Sequence, residues 1–143
     1  MFMRVSEISN RLNVSPNTVR YYSRIELVRP SKSDNGYKHY TEKDFRKLRF
    51  AIRAKALGFS LSDIKKLIDI SDNGQTPCPH AREIIASNLE LLGASIRESL
   101  NLFQRMERAA AIWRDMPDKE PNGETICSLI DGLSEGESHV EVS

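Results

Sequence analysis

Apolar side chains recur at alternating intervals of four and three residues between Ile85 and Trp113. The positions that carry this pattern are Ile85, Leu89, Leu92, Ile96, Ser99, Phe103, Met106, Ala110 and Trp113, of which Ser99 is the one polar member. Heptad spacing of this kind predicts one long helix, from about His80 to Trp113, with an apolar seam along it. Because the seam would otherwise face water, we expect a second copy to cover it in a coiled-coil homodimer.

The two halves of the chain carry opposite charge. Residues 1–70 contain 15 Lys and Arg against 7 Asp and Glu, which gives a net charge of +8. Residues 71–143 contain 6 against 13, which gives −7, and the two values account for the formal total of +1. Since a basic segment attracts phosphate, the sequence predicts an N-terminal half that binds nucleic acid and a C-terminal half with another task.

A helix followed by a small hairpin is predicted between Ser15 and Tyr40. Ser15 can cap the helix, Pro16 suits its first position, and Asp34-Asn35-Gly36 is typical of a tight turn between two extended arms. A short preceding helix, capped by Ser6, would complete a helix-turn-helix. In such a unit the second helix can enter a major groove while the hairpin contacts the DNA backbone beside it.

The candidate DNA contacts are cationic, phenolic and small polar side chains on these elements. We expect them to be Arg4, Ser15, Asn17, Thr18, Arg20, Tyr21, Tyr22, Lys38 and Tyr40. The alternative is a solvated surface helix beside an ordinary hairpin, because charged helix faces are commonly exposed to water.

The order of residues favours DNA binding over that alternative. The segment VRYYSRIELVRPSKSDNGYKHYTEKD closely resembles the signature of MerR-type transcriptional regulators. Its flanks, MRVSEISNRLNVSPNT and FRKLRFAIRAKALGFSLSDIKKLI, extend the resemblance from about Met3 to Ile70. Two departures are visible: Glu26 stands where the family usually has Gly, and Lys38 and His39 stand where Arg is common.

The resemblance implies a mainly α fold with three parts. These are a winged helix-turn-helix DNA-binding domain over residues 1–76, a dimerisation helix over 77–115 that pairs antiparallel with its partner, and an effector loop, short helix and acidic tail over 116–143. For the tail we expect a helix from Thr125 to Leu133, with Ile126, Leu129, Ile130 and Leu133 packed inward, and then an acidic stretch without fixed structure over residues 134–143. The implied partners are promoter DNA with an overlong spacer and RNA polymerase at the same promoter, with activation by effector-linked bending and untwisting of the DNA.

Two cysteines are the candidate effector ligands. A helix of 34 residues is about 50 Å long, so Cys78 before it and Cys127 after it would lie far apart in one chain. In the antiparallel dimer that the resemblance implies, Cys78 of one subunit would approach Cys127 of the other. With His80 as a third ligand, the pair would suit a soft divalent ion, and the resemblance is closest to the branch that responds to zinc, cadmium or lead; mercury is a further candidate.

The sequence leaves alternatives to a metal site open. Met116 to Thr125 contains no cysteine, whereas the metal-responsive branch usually has at least one there, so Asp118, Glu120 or His80 would have to complete the site. A regulator of the same family could instead sense oxidation through a Cys78–Cys127 disulfide between subunits, or a small organic molecule. A DNA-binding architectural protein without a sensor is a third class. We expect no enzyme, because the sequence shows no nucleophile–base constellation or phosphate loop.

The remaining composition indicates a soluble cytoplasmic protein. No apolar run has the length of a membrane span, and no signal-peptide pattern occupies Met1–Arg11. Two cysteines cannot form a disulfide scaffold, so free thiols or metal ligands are expected in a reducing compartment.

Overall fold

The computed structural model describes residues 2–134, which form six helices and one two-stranded hairpin. The expected acidic stretch lies outside this range from residue 135 onward. In chain order the elements are α1 (Val5–Leu12), α2 (Pro16–Arg24), β1 (Ser31–Lys32), β2 (Lys38–His39), α3 (Glu42–Ala56), α4 (Leu61–Asp72), α5 (Cys78–Trp113) and α6 (Ser128–Asp131). No helix in the described range is both long and apolar enough to cross a bilayer.

The chain divides into two compact units, and the division falls inside α5. The first unit ends at Leu89 and the second begins at Glu90. The first unit contains the hydrophobic core, which is formed by buried side chains from α1, α2, α3 and α4 and from the segments between them, among them Ile8, Val19, Tyr40, Leu48, Ile64 and Leu67. About the first three turns of α5 belong to this unit, and Ala81, Ile84 and Ile85 in these turns pack against the same core.

Helices α2, α3 and α4 each begin just after a residue whose side chain caps the helix. The Ser15 hydroxyl accepts a hydrogen bond from the backbone N–H of Thr18, as predicted for the start of α2. Thr41 and Ser60 begin α3 and α4 with reciprocal capping boxes, in which an aspartate three residues later accepts from the cap backbone. The prediction for α1 was wrong, since this helix begins at Val5 and has no side-chain cap.

The predicted hairpin forms, and the N-terminus is joined to it. β1 and β2 pair antiparallel with Ser31 opposite His39, and Gly36 adopts a φ of +84° in the turn. Only glycine enters that region without strain, which explains the turn sequence. Beyond the hairpin, Met3 and Tyr40 exchange two backbone hydrogen bonds of 2.7 and 2.8 Å. This bridge brings the first residues of the chain beside the hairpin.

The long helix forms with its apolar seam uncovered in the single chain. α5 has 36 residues and begins at Cys78, two residues earlier than predicted, because Pro79 fits the first helical turn. Leu92, at the middle of the first half of the seam, keeps 60% of its surface exposed, and Ile96 and Phe103 are similarly exposed. An apolar stripe of this length is typical of a helix that packs against a partner.

The C-terminal helix is shorter than predicted, and two of its expected core residues face outward. The Asp131 carboxylate accepts hydrogen bonds from the backbone N–H groups of Ile126 (2.7 Å) and Cys127 (2.9 Å). α6 has only four residues, Ser128–Asp131. Ile126 is 91% and Ile130 59% exposed in the single chain, which corrects the expectation that they pack inward within it.

Glu26, which follows α2, provides a test of backbone strain. Its φ of +62° lies in the left-handed region, which costs an L-residue about 1–2 kcal/mol. Glycine avoids that cost but loses more entropy on folding. We therefore expect Glu26→Gly to raise the free energy of unfolding by roughly 0.5–1 kcal/mol, measured by urea titration. The exposed Glu26–Arg29 ion pair, at 3.9 Å, contributes little that would offset this gain.

A matched control separates strain from a general effect of glycine. Lys65→Gly, at an exposed position inside α4, should lower stability by about 1 kcal/mol, because glycine disfavours a helix interior. If Glu26→Gly is as destabilising as Lys65→Gly, the strain assigned to Glu26 is wrong.

Candidate functional site

The exposed side of α2 presents a row of polar side chains at helical spacing. Arg20 and Asn17 are both exposed, and the Arg20 Nη1 atom donates a 3.1 Å hydrogen bond to the Asn17 amide oxygen. Near the start of the helix, the hydroxyl oxygens of Ser15 and Thr18 lie 3.0 Å apart. These contacts orient donors and acceptors along one helix face without burying them. Such a face can hydrogen-bond to base edges and phosphates.

Arg24 extends this row, although it was not among the candidate contacts. Its guanidinium lies 5.9 Å from the ring centroid of Tyr21, whose side chain is exposed. Arg20 and Arg24 are four residues apart and therefore lie on the same side of α2. That spacing is the sequence signal that could have added Arg24 to the list.

Two of the candidate DNA contacts, Tyr22 and Tyr40, are buried in the structure. Tyr40 has 0% and Tyr22 5% of its surface exposed, so both belong to the core rather than to a DNA-facing surface. The Tyr40 hydroxyl lies 2.6 Å from the Ser23 hydroxyl, and thereby ties the end of the hairpin to α2. Burial raises the pKa of Tyr22 above its ordinary value of 10.0, and the neighbouring Tyr21 phenol raises that pKa further. The direction of this shift is the one expected for a phenol in an apolar core.

The hairpin and the N-terminal residues form a second polar surface. The Arg4 guanidinium lies 4.6 Å from the ring centroid of Tyr37, and Tyr37 is exposed. Lys38 is half-buried beside it, and Phe2 meets the His39 ring edge to face at 5.9 Å. Arg4 and Lys38 were candidate contacts, whereas Tyr37 was missed. The bridge between Met3 and Tyr40, which brings Arg4 to the hairpin, is not visible in the sequence.

The candidate metal ligands are free in the single chain. Both cysteines are unpaired thiols; Cys78 is exposed at the first position of α5, and Cys127 is half-buried before α6. The His80 Nδ1 atom is buried and has no hydrogen-bond partner among the described residues, although a buried nitrogen normally has one. A thiolate, a second thiolate and an unpartnered imidazole nitrogen are donors that suit a soft divalent ion. Across residues 2–134 of one chain, no three His, Cys, Asp or Glu side chains are grouped closely enough to hold such an ion.

Two family models match the chain, and together they extend from residue 3 to residue 109. The model described as "MerR HTH family regulatory protein" matches residues 3–70, and that described as "MerR, DNA binding" matches residues 45–109. The first range covers α1 to α4 and the hairpin, and the second continues along α5.

Curated relatives and solved structures agree with these matches. The HTH-type transcriptional regulator HmrR of Rhizobium leguminosarum bv. viciae is 32% identical over 136 residues, covering 94% of this chain and 99% of the relative. The mercuric resistance operon regulatory protein of Bacillus cereus is 27% identical over 136 residues, covering 93% and 98%. A crystal structure of a MerR-family transcriptional regulator from Bacillus cereus matches with a TM-score of 0.64 at 21% identity, covering 84% of this chain and 88% of that one.

Proposed function

We propose, from the premise that this chain belongs to the MerR family of DNA-binding transcriptional regulators, that it acts as a metal-responsive homodimer on promoter DNA. Members of this family regulate transcription and are not enzymes, in agreement with the expectation from the sequence. Promoter DNA and RNA polymerase at the same promoter are its proposed partners, and we propose that it acts in the cytoplasm.

The observation that supports DNA binding most directly is the exposed face of α2. Asn17, Arg20 and Tyr21 are exposed on successive turns of α2. Ser15 and Thr18 lie at its N-terminal end. We propose that this face enters the major groove and that Arg4 and Lys38 contact the flanking backbone. The net charge of +8 over residues 1–70 supplies long-range attraction to the phosphates.

Replacement of Arg20 tests this interface. We expect Arg20→Ala to weaken binding to the promoter fragment by about 1–3 kcal/mol, because the guanidinium donates to DNA in the complex. The measurement is a gel-shift titration at fixed salt, with the oligomeric state checked by light scattering. Arg82→Ala, an exposed arginine on α5, serves as the matched control and should leave the affinity unchanged. An Arg20→Ala protein that binds as tightly as wild type would remove Arg20 from the interface.

The uncovered seam of α5 supports the homodimer. Apart from Ser99, the seam positions from Leu89 to Met106 carry large apolar side chains that remain mostly exposed in one chain. A second copy packed antiparallel would cover them and would place two DNA-binding units on a two-fold-symmetric site. Two recognition helices would then reach successive major grooves on one side of the DNA.

The proposed effector is a soft divalent metal ion such as zinc, cadmium, lead or mercury. Cys78 and His80 of one subunit and Cys127 of the other would hold it, with Asp118 or Glu120 as further candidate ligands. When bound, the ion would supply a strong link between thiolates of the two subunits. The free thiols, the unpartnered His80 nitrogen and the similarity to a mercuric resistance operon regulator support this proposal.

The proposed mechanism couples that link to the shape of the DNA. An ion that binds one arrangement of the dimer better than another shifts the population toward the first. If the favoured arrangement bends and untwists the promoter, the two polymerase elements on either side of an overlong spacer come into register. Control would then depend on the energy of DNA deformation rather than on release from the promoter.

The two free thiols also favour a second candidate function, the sensing of oxidation. Cys78 of one subunit and Cys127 of the other would form a disulfide, giving two electrons and two protons to a peroxide, which is reduced to water. A peroxide-induced covalent dimer on a non-reducing gel that activates transcription without added metal would favour this function over metal sensing.

A further inference from the structure

Three asparagines of the chain are each followed by a glycine. Asn35-Gly36 lies in the hairpin turn, Asn73-Gly74 follows α4, and Asn122-Gly123 lies in the loop between α5 and α6. Because glycine has no side chain, nothing shields its backbone nitrogen from the amide carbon of the preceding asparagine. All three pairs are exposed to water, so exposure does not distinguish them. Their hydrogen bonds do.

The backbone N–H of the glycine is unpaired in one of the three pairs. The Gly36 N–H donates to the Ser33 carbonyl at 2.9 Å, and the Gly74 N–H donates to the Ser71 carbonyl at 3.0 Å. The Gly123 N–H has no acceptor among the residues that the structure describes. A nitrogen whose proton is held by a carbonyl must break that bond before it can react. The Gly123 nitrogen is therefore the most available nucleophile of the three.

The amide of Asn122 is held by three hydrogen-bond donors. Its Oδ1 atom accepts from the backbone N–H groups of Glu124 and Thr125, each at 3.0 Å, and from the Thr125 hydroxyl at 3.1 Å. The side chain is thus folded over Gly123 toward the chain beyond it. Attack on the amide carbon would move negative charge onto Oδ1, where the three donors would stabilise it as an oxyanion hole does.

The other two asparagines lack this arrangement. The Asn35 Oδ1 atom accepts from the Ser33 hydroxyl alone. The Asn73 side chain forms no hydrogen bond with any residue in the described range. An unpaired glycine nitrogen and a polarised amide therefore occur together at Asn122-Gly123 and not at the other two pairs.

We propose that Asn122 is a site of spontaneous deamidation and that the folded loop promotes the reaction. The Gly123 nitrogen attacks Cγ of Asn122, so that a bond forms between these two atoms and the bond from Cγ to Nδ2 breaks. The proton of the Gly123 nitrogen passes through water to Nδ2, which leaves as ammonia. The succinimide ring that remains takes up one water molecule and opens to aspartate or isoaspartate, and nothing is oxidised or reduced.

Either product changes the loop that leads to Cys127. Aspartate adds a negative charge to residues 116–134, which already carry four Asp and Glu against one Lys. Isoaspartate reroutes the backbone through Cβ and Cγ, so Oδ1 becomes a peptide oxygen and the N–H groups of Glu124 and Thr125 lose their side-chain acceptor. The reaction therefore alters this loop slowly and irreversibly.

Incubation of the full chain at neutral pH, with a chelator and a reductant, tests the site. Trypsin then releases residues 33–38, 67–82 and 120–143, each of which contains one of the three pairs. High-resolution mass spectrometry measures the conversion of amide to carboxylate, and electron-transfer fragmentation distinguishes aspartate from isoaspartate. We expect Asn122 to convert several-fold faster than Asn35 or Asn73. Conversion of Asn122 that is no faster than that of the other two would overturn the proposal.

Thr125→Val tests whether the hydrogen bonds promote the reaction. Valine keeps the shape of threonine and both backbone donors but removes the hydroxyl donor, so the rate at Asn122 should fall roughly five-fold. A variant that deamidates as fast as wild type, or faster, would overturn the promoting role of the loop. Ser33→Ala is the matched control: it removes the hydroxyl donor to Asn35 but keeps the bond from Gly36 to the Ser33 carbonyl, so Asn35 should remain slow.

The same measurement in urea separates the effect of the fold from that of the local sequence. In the unfolded chain none of these hydrogen bonds persists, so the three pairs should convert at similar rates. An equal preference for Asn122 in urea and in the folded protein would assign the preference to neighbouring residues and overturn the proposal. None of these results depends on DNA, metal or a second subunit, so they are independent of the proposed function.

Discussion

Cys127→Ser should abolish the response to the inducing metal while leaving promoter affinity near the wild-type value. The physical reason is that a neutral hydroxyl replaces a soft thiolate at the proposed metal site, whereas the proposed DNA contacts lie in residues 1–70. Cys78→Ser should behave in the same way. Metal binding is measured by titration of anaerobically purified protein with zinc, cadmium and lead, and activation by transcription from the promoter in vitro.

Mixing the two cysteine variants tests whether the site is shared between subunits. A heterodimer of Cys78→Ser with Cys127→Ser retains one complete pair of thiols, because both substitutions fall on the other pair. After random exchange, about half of the dimers are mixed, so the mixture should regain about a quarter of the wild-type metal capacity. Each variant alone should bind none. A mixture that binds no more metal than the separate variants would show that the site is not shared in this way.

Two results would contradict metal sensing by Cys78 and Cys127 or favour oxidation sensing instead. Full activation of Cys127→Ser by the cognate metal would end the metal-sensor hypothesis. Loss of activation by peroxide in the same variant, together with no metal binding by the wild type, would favour oxidation sensing.

Leu92→Asp should dissociate the homodimer. Each dimer would lose two buried leucine side chains, worth about 1.5–3 kcal/mol each, and would gain two carboxylates in or near its core. The loss of apolar burial alone corresponds to more than about a 100-fold rise in the dissociation constant. Analytical ultracentrifugation over a range of concentrations measures the shift, and circular dichroism shows whether α5 remains helical.

Leu91→Asp is the matched control for this change. Leu91 is 68% exposed in the single chain, slightly more than Leu92, but it lies outside the heptad seam. It should therefore leave the dimer nearly unchanged. Equal effects of the two substitutions would show that the seam does not form the interface, and a wild-type monomer at micromolar concentration would contradict the coiled-coil interpretation altogether.

The elements of the fold could be read from local chemistry. Ser15 caps α2 where the sequence predicts it, Thr41 and Ser60 cap α3 and α4 with the same kind of hydroxyl side chain, and Gly36 lies in the turn of the predicted hairpin. These features depend on hydrogen bonds and backbone conformations within a few residues, so they can be predicted without knowledge of the rest of the chain. The heptad spacing likewise predicted one long α5, because a period of 3.5 residues is a property of the segment itself.

Whether an individual side chain is buried or exposed was decided by the tertiary structure. Tyr21 and Tyr22 are neighbours of the same chemical type, yet α2 packs with Tyr22 inward and Tyr21 outward. Tyr40 is buried because its backbone pairs with Met3 and its hydroxyl meets Ser23, both distant in sequence. In the tail, the Asp131 carboxylate accepts a hydrogen bond from the backbone N–H of Ile126, and Ile126 and Ile130 are exposed although the sequence predicts that they pack inward. Composition and periodicity identify which residues can be apolar contacts or polar ligands, but burial depends on which distant segments pack together, and only the folded chain determines that.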